Sequence, residues 1–512
     1  MNRSSYMSRM ETFDVAVVGA GHNGLACAAL LAKNGLSVGV FERRPIEGGA
    51  AVSERDVWPG YTISTASYVC SLLDPWLIET LDLEAHGYDA YRKDPASFTP
   101  LADGRSLLLG TDRASNEREI AAFDADDVHG YEAFDRVASD LGRRLFDTFA
   151  DAEPRFDAFD NATQRVLRGS IAELVERHVT TPVLQAMLAN DGMVGTYLGP
   201  RDNGTGYVFA HHYAGRAIGV QGAWAFVRGG MGAISQALAS AARSYGARIF
   251  TDTTIDRVLT YDNRAIGLVL DDGREIAARA VASNAHPRTT LLELVDRSVL
   301  DPTCIARLQT WKSIGPSLKL NLALGELPDF TCRPGAGPHQ RATIHVAPDI
   351  DFLQKAYEDG RASGESEEPM LECFLQTPTD PSLAPPGKHI LSIFAQYFPY
   401  DRHDGWSHAA KERAADKIVA SIARFAPNVP NAIEARQILA PPDLEARFGL
   451  VGGHIFHGEL LPGQIYEERF TTRTPVPGLY LCGSGTHPGG CVSGFPGRRA
   501  AAAILQDLEV RV

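Results

Sequence analysis

Three glycines near the N-terminus have the spacing of a phosphate-binding turn. Gly19, Gly21 and Gly24 form the pattern G-x-G-x-x-G around His22 and Asn23. The first glycine permits a tight turn, the second lets a pyrophosphate approach the backbone, and the third lets a helix pack closely on a strand. Unpaired N–H groups at the start of that helix would bind the phosphates. The pattern predicts a dinucleotide site if a strand precedes it and a helix follows it.

The neighbouring sequence predicts these elements. Residues 14–18 form a short apolar run, as in a buried parallel strand, and residues 24–33 have helical periodicity that stops at Asn34. A second strand over residues 37–42 ends on Glu42, whose carboxylate would accept the ribose hydroxyls of an adenosine. This strand–helix–strand context favours a dinucleotide site over the alternative, which is a glycine cluster that only packs an ordinary α/β turn.

A second glycine-rich stretch lies near the C-terminus. It spans residues 483–497, between an apolar strand over 478–482 and a helix predicted over 494–508. Glycines in this position let the backbone lie against a flat, bulky ligand, and the helix would direct its positive end towards that ligand. A reduced flavin carries negative charge that such an end stabilises. Because the sequence has no second strand–turn–helix–acid unit, we expect FAD as the only redox cofactor.

Further contacts to the cofactor are predicted from both ends of the chain. Gly48 and Gly49 follow the acid and suit a backbone that passes close to the ribityl chain and the pyrophosphate, although a simple turn is the alternative. The predicted cofactor-binding residues outside the first turn are Glu42, Arg43, Gly48, Gly49, Ala50, Gly483, Gly490, Cys491 and Val492.

The middle of the chain predicts a helical cap and a second sheet. Residues 112–190 are rich in Ala, Leu, Arg and Asp at helical spacing, with few β-branched runs. The charged segment 358–369 contains no core residues and predicts a loop. A second, more antiparallel sheet is predicted from strand candidates near residues 318–324, 341–347, 371–376 and 389–397.

Composition and charge argue against several kinds of binding partner and cellular location. The formal net charge of −14 gives no electrostatic support to nucleic-acid binding. No apolar run approaches the roughly 20 residues that span a bilayer, and residues 1–12 lack the apolar centre of a secretory signal. The seven cysteines include no C-x-x-C pair and no zinc-ligand spacing, so we expect no bound metal. We therefore expect a cytoplasmic protein, with peripheral membrane contact and oligomeric state left open.

Several of these stretches carry a resemblance to a known family. They are residues 14–51, 227–249, 280–287 and 477–501, and residues 452–466 narrow the likeness. The chain resembles the phytoene desaturase-type branch of the flavin amine oxidase superfamily, in particular the subgroup of pyridine nucleotide-disulfide oxidoreductase domain-containing protein 2. That subgroup's name suggests redox cysteines, but this sequence has no vicinal pair.

The resemblance implies an α/β fold with a discontinuous, Rossmann-like FAD-binding domain of the glutathione-reductase type. It also implies a mixed-sheet substrate domain, a helical cap, and a position for Val258 near the adenine. The domains expected are an FAD-binding domain from residues 10–75, 228–290 and 450–512, a helical cap with part of the substrate domain over 76–227, and the rest of the substrate domain over 291–449.

Two departures from the family pattern concern the flavin. Related amine oxidases have arginine after the Gly-Gly pair, where this chain has Ala50 and Ala51, so the inner half of the flavin would depend on backbone contacts and on Arg43 or Arg44. Cys491 stands where relatives often have glycine. A covalent flavin thioether is one interpretation of this cysteine, and a small buried residue is the favoured one.

Candidate catalytic residues follow from the same resemblance, which places His454, His457 and His487 near the flavin ring. A histidine there could take a proton while a hydride leaves for flavin N5. The alternative is that His457 and His487 only fix loops by hydrogen bonding. The pair His211 and His212, with Tyr213 next to it, lacks an acidic partner in the sequence and is more typical of a surface or cap feature.

A group of aromatic residues gives one more hypothesis about the substrate. Phe394, Tyr397, Phe398 and Tyr400 could line an apolar tunnel, although packing within a strand explains the alternating members. The leading functional hypothesis is FAD-dependent dehydrogenation of a hydrophobic small molecule, with electrons passing to oxygen or a quinone. The alternatives are a redox-neutral flavin-dependent isomerase, an amine oxidase, and a non-catalytic interaction protein that binds flavin.

Overall fold

The computed structural model describes residues 10–510, so residues 1–9 of the polar N-terminal segment lie outside the described residues. The strands are β1 (Glu11–Val18), β2 (Val38–Phe41), β3 (Ser53–Glu54), β4 (Ile63–Ser64), β5 (Ala90–Arg92), β6 (Ser97–Pro100), β7 (Ser106–Leu109), β8 (Ala225–Val227), β9 (Arg248–Phe250), β10 (Ile255–Tyr261), β11 (Arg264–Leu270), β12 (Glu275–Ser283), β13 (Ser317–Leu324), β14 (Thr343–His345), β15 (Met370–Leu375), β16 (His389–Gln396), β17 (Ile433–Leu439) and β18 (Leu479–Leu481).

The α-helices connect and cover these strands. They are α1 (His22–Lys33), α2 (Pro75–Thr80), α3 (Arg113–Ala121), α4 (Asp127–Thr148), α5 (Asn161–Arg168), α6 (Ile171–Glu176), α7 (Pro182–Ala189), α8 (Thr205–Tyr213), α9 (Gly232–Ser244), α10 (Pro302–Thr310), α11 (Ile350–Ser363), α12 (His408–Ala423), α13 (Val429–Ala432), α14 (Pro441–Phe448) and α15 (Phe495–Asp507).

The first sheet has seven strands, which come from three distant parts of the sequence. Its order is β10-β11-β12-β1-β2-β9, and β18 pairs with the end of β12. β1 runs parallel to both β2 and β12. Residues 23–32 of α1 are buried because the sheet lies on one side of this helix and α9 and α15 pack on others. The first sheet is thus assembled only when the two ends of the chain and its middle come together.

The second sheet also has seven strands, in the order β17-β13-β16-β15-β14-β6-β7. Its pairs are antiparallel except for β14 with β6, which makes the sheet mixed. Every residue of β13 and of β15 is buried, because other parts of the molecule cover both faces of the sheet. The two sheets confirm the α/β fold class, with a Rossmann-like sheet that is discontinuous in sequence and a separate mixed sheet.

Helices α4 to α8 form a cap beside the second sheet. Their apolar side chains share one core with residues of β16 and α11, which explains the periodicity predicted for residues 112–190. The loop predicted over 358–369 is wrong in its first half. Helix α11 continues to Ser363 because Tyr357 and Gly360 are buried against Tyr397 and the cap.

Within residues 10–510, no helix combines the length and the apolar character that crossing a membrane requires.

Candidate functional site

A cavity of about 920 Å³ lies between the two sheets. Its wall includes residues from the first turn, from the segment after β2, from β13 and the loop before it, and from the C-terminal glycine-rich stretch. The predicted cofactor-binding residues that line it are Gly19, Gly21, His22, Asn23, Glu42, Arg43, Gly49, Ala50, Cys491 and Val492. Segments that are far apart in the sequence therefore meet at one continuous wall.

The N-terminal turn is built around close backbone contacts. Gly19 has a φ of +86°, which favours glycine, and a Cβ on Gly24 would lie 2.3 Å from the Gly19 carbonyl oxygen. A Cβ on Gly21 would lie 2.5 Å from Asn284 Nδ2, which lines the same cavity. No side chain caps the start of α1, so its first N–H groups are free to bind an anion. The turn fits a pyrophosphate.

Glu42 is held at the adenosine end of the cavity. Its Oε2 accepts a hydrogen bond from the Ala20 N–H at 2.8 Å, and its Oε1 accepts one from the Arg44 N–H at 3.0 Å. Each carboxylate oxygen retains a lone pair for a ribose hydroxyl. The Arg44 guanidinium is engaged by Glu54, whereas Arg43 donates to the Ala446 carbonyl, and both arginines line the cavity. Arg43 is thus the more available of the two predicted arginines.

The N-terminal and C-terminal motifs are joined by a direct hydrogen bond. Asn23 Nδ2 donates to Ser484 Oγ at 3.1 Å, and Asn23 Oδ1 is buried without a partner within the described residues. His22 Nε2 is also buried and unpartnered, and burial lowers the pKa of His22 to about 4, so its ring is neutral. Unpaired buried polar atoms are costly unless a ligand or water pairs with them. Both atoms fit a bound cofactor.

The C-terminal stretch presents its backbone to the cavity. Cys491 and Val492 have φ values of +74° and +54°, which are uncommon for residues with a Cβ. Both residues line the cavity, as do Ala50 and Ala51. Cys491 is partly buried, and burial raises the pKa of its thiol far above its usual range.

The remaining predicted cofactor-binding residues do not line the cavity and lie behind its wall. Gly48 donates to the Ala20 carbonyl at 2.8 Å, a Cβ on Gly483 would lie 2.6 Å from the Asn284 carbonyl oxygen, and one on Gly490 would lie 2.7 Å from Phe456. Val258 is buried in the core of the first sheet and does not line the cavity. Thr253, Thr254 and Ile255, at the beginning of the same strand, form the wall there.

The three predicted catalytic histidines occupy different environments. His457 lines the cavity, stacks on His286 with 5.5 Å between ring centroids, and has an unpartnered Nδ1. Burial, with Arg469 nearby, lowers the pKa of His457 to about 3. His454 lies 3.4 Å from Glu459, and His487 contacts the Thr148 carbonyl at 3.2 Å.

Neither His454 nor His487 lines the cavity. Burial also lowers the pKa of His487 well below its usual range. His454 Nδ1 accepts a hydrogen bond from the Phe456 N–H at 3.2 Å, and the contact of His487 with Thr148 is of the kind that the loop-fixing alternative describes.

Sequence reasoning missed a buried lysine on the opposite wall. Lys319 is 3% exposed, lies in the middle of β13, and lines the cavity together with Tyr68. Its ammonium donates to Ser392 and stands 4.6 Å from the centroid of the Tyr68 ring. Burial lowers the pKa of Lys319 to about 7. In the sequence, Lys319 could have been noticed as a charged residue among the apolar residues of β13.

The aromatic residues divide between the cavity and the core. Phe394 and Tyr400 line the cavity, whereas Tyr397 and Phe398 are fully buried elsewhere. The Tyr397 hydroxyl donates to the Leu198 carbonyl at 2.8 Å. His211 and His212 lie on cap helix α8, which agrees with the cap interpretation, but both are buried and not on the surface, and His212 lines the cavity beside Trp224.

Comparisons with known proteins agree with this geometry. The family model described as flavin containing amine oxidoreductase matches residues 24–505. Pyridine nucleotide-disulfide oxidoreductase domain-containing protein 2 of Mus musculus is 39% identical, over 97% of this chain and 94% of the mouse protein. The lycopene-forming phytoene desaturase of a Paracoccus species is 24% identical, over 96% of this chain and 97% of that protein.

A solved structure supports the fold. Putrescine oxidase bound to putrescine superposes with a TM-score of 0.65 at 16% sequence identity, covering 98% of this chain and all of that one. The resemblance inferred from the sequence is confirmed, and FAD is the cofactor that the glycine turn, Glu42 and the C-terminal stretch would hold. This chain belongs to the flavin-containing amine oxidoreductase family and is an FAD-dependent oxidoreductase.

Proposed function

We propose that the protein dehydrogenates a largely hydrophobic small molecule, forming a C=C or C=N bond, and passes the electrons to oxygen or a quinone. The observation that carries this proposal is the apolar part of the cavity beyond Ala50 and Cys491. Its wall there is made mainly of Val69, Val194, Trp224, Phe394, Ile455 and Phe456. FAD, when bound, supplies the acceptor for the hydride that the substrate loses.

Lys319 is the proposed proton acceptor of this reaction. Dehydrogenation releases a proton as well as a hydride, and a base is most effective when its pKa lies near the working pH. Burial lowers the pKa of Lys319 to about 7, and the side chain reaches the cavity from β13. His457 also reaches the cavity, but its pKa of about 3 makes it a weak base.

The other wall residues would orient the substrate and exclude water. Trp224, Phe394 and Phe456 present flat or broad apolar surfaces opposite the cofactor-binding residues. His212 adds no charge, because burial lowers its pKa. A hydride transfer needs its carbon held close to the acceptor, and a rigid apolar wall supplies that position.

Anaerobic mixing of the purified holoprotein with candidate substrates tests the proposal. Isoprenoid hydrocarbons, isoprenoid alcohols and aliphatic amines of similar length would be compared by the loss of visible flavin absorbance. We expect the isoprenoids to reduce the flavin and the Lys319→Met variant to do so much more slowly. Lys388→Met, which alters an exposed lysine paired with Glu434, is the matched control.

Two outcomes would contradict the proposal, whereas reduction by amines alone would restrict it to C=N formation. Product formation without consumption of an electron acceptor would favour the redox-neutral isomerase. Failure of the whole panel to reduce the flavin or to be converted would leave the non-catalytic hypothesis as the better explanation.

A further inference from the structure

A second cavity, of about 500 Å³, lies beside the flavin cavity and below the cap. The two cavities share a wall that includes Tyr68, His212 and Trp224. We call the second cavity the distal chamber. Its other lining residues come from α4, α7 and α8 of the cap and from β6, β14 and β15 of the second sheet. No residue of the two glycine-rich motifs lines it, so it is not part of the cofactor site.

The distal chamber contains a buried lysine whose hydrogen bonds are incomplete. Lys93 is 5% exposed, and its ammonium donates to Thr343 and stands 5.4 Å from the Phe374 ring centroid. An ammonium has three N–H donors, and within the described residues Lys93 has no second hydrogen-bond acceptor. Burial lowers the pKa of Lys93. The cost of burying this group is therefore only partly offset by the protein itself.

Two acids face the same space but differ in their partners. Glu372 accepts hydrogen bonds from the Tyr68 hydroxyl, at 3.1 Å, and from Asn190. Burial, together with Asp191, raises the pKa of Glu372. The Asp191 carboxylate makes no side-chain hydrogen bond or ion pair within residues 10–510. Glu372 is thus satisfied by the fold, whereas Asp191 is free to accept from a ligand.

The chamber contains groups of both signs. The carboxyl groups of Glu372 and Asp191 oppose the effect of burial on the pKa of Lys93, while burial and Asp191 raise the pKa of Glu372. Burial lowers the pKa of His345 to about 3, and that of His212 is also lowered, so both rings are neutral. At the outer edge of the chamber, Arg92 and Asp135 add one charge of each sign, and Asp135 is bonded by Tyr213. A charged ligand would upset this balance.

We propose that the distal chamber binds an uncharged polar end of the substrate, a hydroxyl or a carboxamide, which accepts a hydrogen bond from Lys93 and donates one to Asp191. The apolar remainder of the same molecule lies along the flavin cavity, past the wall of Tyr68, His212 and Trp224. This inference rests on the proposed function, and it narrows the substrate class from a hydrocarbon to an amphiphile. Hydroxyl and carboxamide groups are the simple neutral groups that both donate and accept.

Binding of a matched set of eight-carbon compounds to the holoprotein tests this inference. Octane, octanol, octanamide, octanoate and octylamine would be titrated by calorimetry and by perturbation of the flavin spectrum. We expect octanol and octanamide to bind about tenfold more tightly than octane, because a well-made hydrogen bond in a buried site contributes on the order of 1.4 kcal/mol. We expect the two ions to bind more weakly than either neutral polar compound.

Two variants connect this preference to the chamber. Asp191→Leu has a similar shape but no hydrogen-bond acceptor, and Lys93→Met keeps the length of the side chain. Each is expected to reduce the preference for octanol over octane. The controls are Asp404→Leu and Lys355→Met, which alter exposed residues that line neither cavity. If Lys93→Met does not fold, Asp191→Leu alone decides the test.

Several results would overturn the inference. They are equal binding of octane and octanol, tightest binding of either ion, no binding of any compound, and a preference that Asp191→Leu leaves unchanged. Binding with the expected preference but without reduction of the flavin by any substrate would refute the proposed function and leave the chamber's specificity standing.

Discussion

The cofactor end and the substrate end of the main cavity are built by different means. At the cofactor end, backbone N–H groups, glycines and the Glu42 carboxylate form the wall, and a Cβ on Gly21 would lie 2.5 Å from Asn284 Nδ2. At the substrate end, side chains from loops and from β13 and β16 form the wall, with Lys319 as the proposed base. The first end depends on local backbone shape, whereas the second depends on which side chains the two sheets bring together.

The largest effect is expected where backbone shape decides binding. Gly21→Val places a branched side chain where only a hydrogen fits, which would displace Asn284 into the path of the pyrophosphate. We expect loss of bound FAD, measured as the flavin-to-protein ratio after gel filtration. Gly246→Val is the control, because its φ of +95° strains the backbone while its new side chain meets open space. Full FAD occupancy in the Gly21→Val protein would contradict the conclusion that backbone shape decides binding at the cofactor end.

A large effect on rate, without loss of cofactor, is expected at the substrate end. Lys319→Met should retain FAD but slow flavin reduction by about 10² to 10⁴, the range attributed to general base catalysis. In the parent protein the neutral lysine accepts the proton, so the rate should rise with pH around the lowered pKa of about 7. The variant should lack this rise. A pH profile identical to that of the parent would assign the proton to another group.

The same substitution has a predicted effect on stability. The pKa of Lys319 is about 7 in the folded protein and 10.5 in its ordinary state, so the buried charge destabilises the folded protein below pH 7. That penalty disappears as the pH rises from about 7 towards 10.5. Lys319→Met should therefore raise Tm most at acidic pH, with a difference that shrinks as the pH increases. Thermal unfolding between pH 6 and pH 10 measures it, and a difference that grows with pH would contradict burial of the ammonium as the cause.

A moderate effect is expected at the adenosine end. Glu42→Gln should weaken FAD affinity about tenfold to a hundredfold, because hydrogen bonds to a charged group contribute roughly 1.5–3 kcal/mol. Titration of the apoprotein with FAD measures this change. Glu47→Gln, at a half-buried acid paired with Arg243, is the control and should leave the affinity unaltered.

The smallest effect is expected at the histidine that sequence reasoning selected. His457→Asn should change the rate of flavin reduction by less than about threefold, since a group with a pKa of about 3 is a poor base at neutral pH. The pH profile should also be unchanged. A loss of a hundredfold or more would restore His457 to the catalytic role and would count against Lys319.

The same contrast explains what the sequence could and could not predict. The turn at Gly19 to Gly24 and the acid at Glu42 are local patterns, so their positions follow from spacing along one strand–helix–strand unit. The pairing of that unit with Gly483 to Gly497 was found because both segments carry excess glycine. Lys319, Lys93 and Glu372 gave only a weak signal, a charge within or beside an apolar strand, and nothing local shows which strands become neighbours.

The histidine predictions show a second limit of prediction from sequence, which is the direction of a side chain within a correctly chosen segment. His454 and His487 belong to the correct segments, yet their rings make contacts with Glu459 and Thr148 and not with the cavity. Segment position in a family pattern does not determine the direction of a side chain. His212 shows the opposite case, because it lies on cap helix α8 and was not selected as a site residue, yet it lines both cavities.

The hydrogen bond from Asn23 to Ser484 has a consequence for biosynthesis. It joins two residues that are 461 positions apart, and β18 and α15 complete the first sheet from the last part of the chain. A ribosome that has made only the N-terminal half has produced the phosphate-binding turn without the opposite wall. Contacts of such long range form late, because loop closure must precede them. We therefore expect a nascent chain that stalls before residue 484 to remain without FAD.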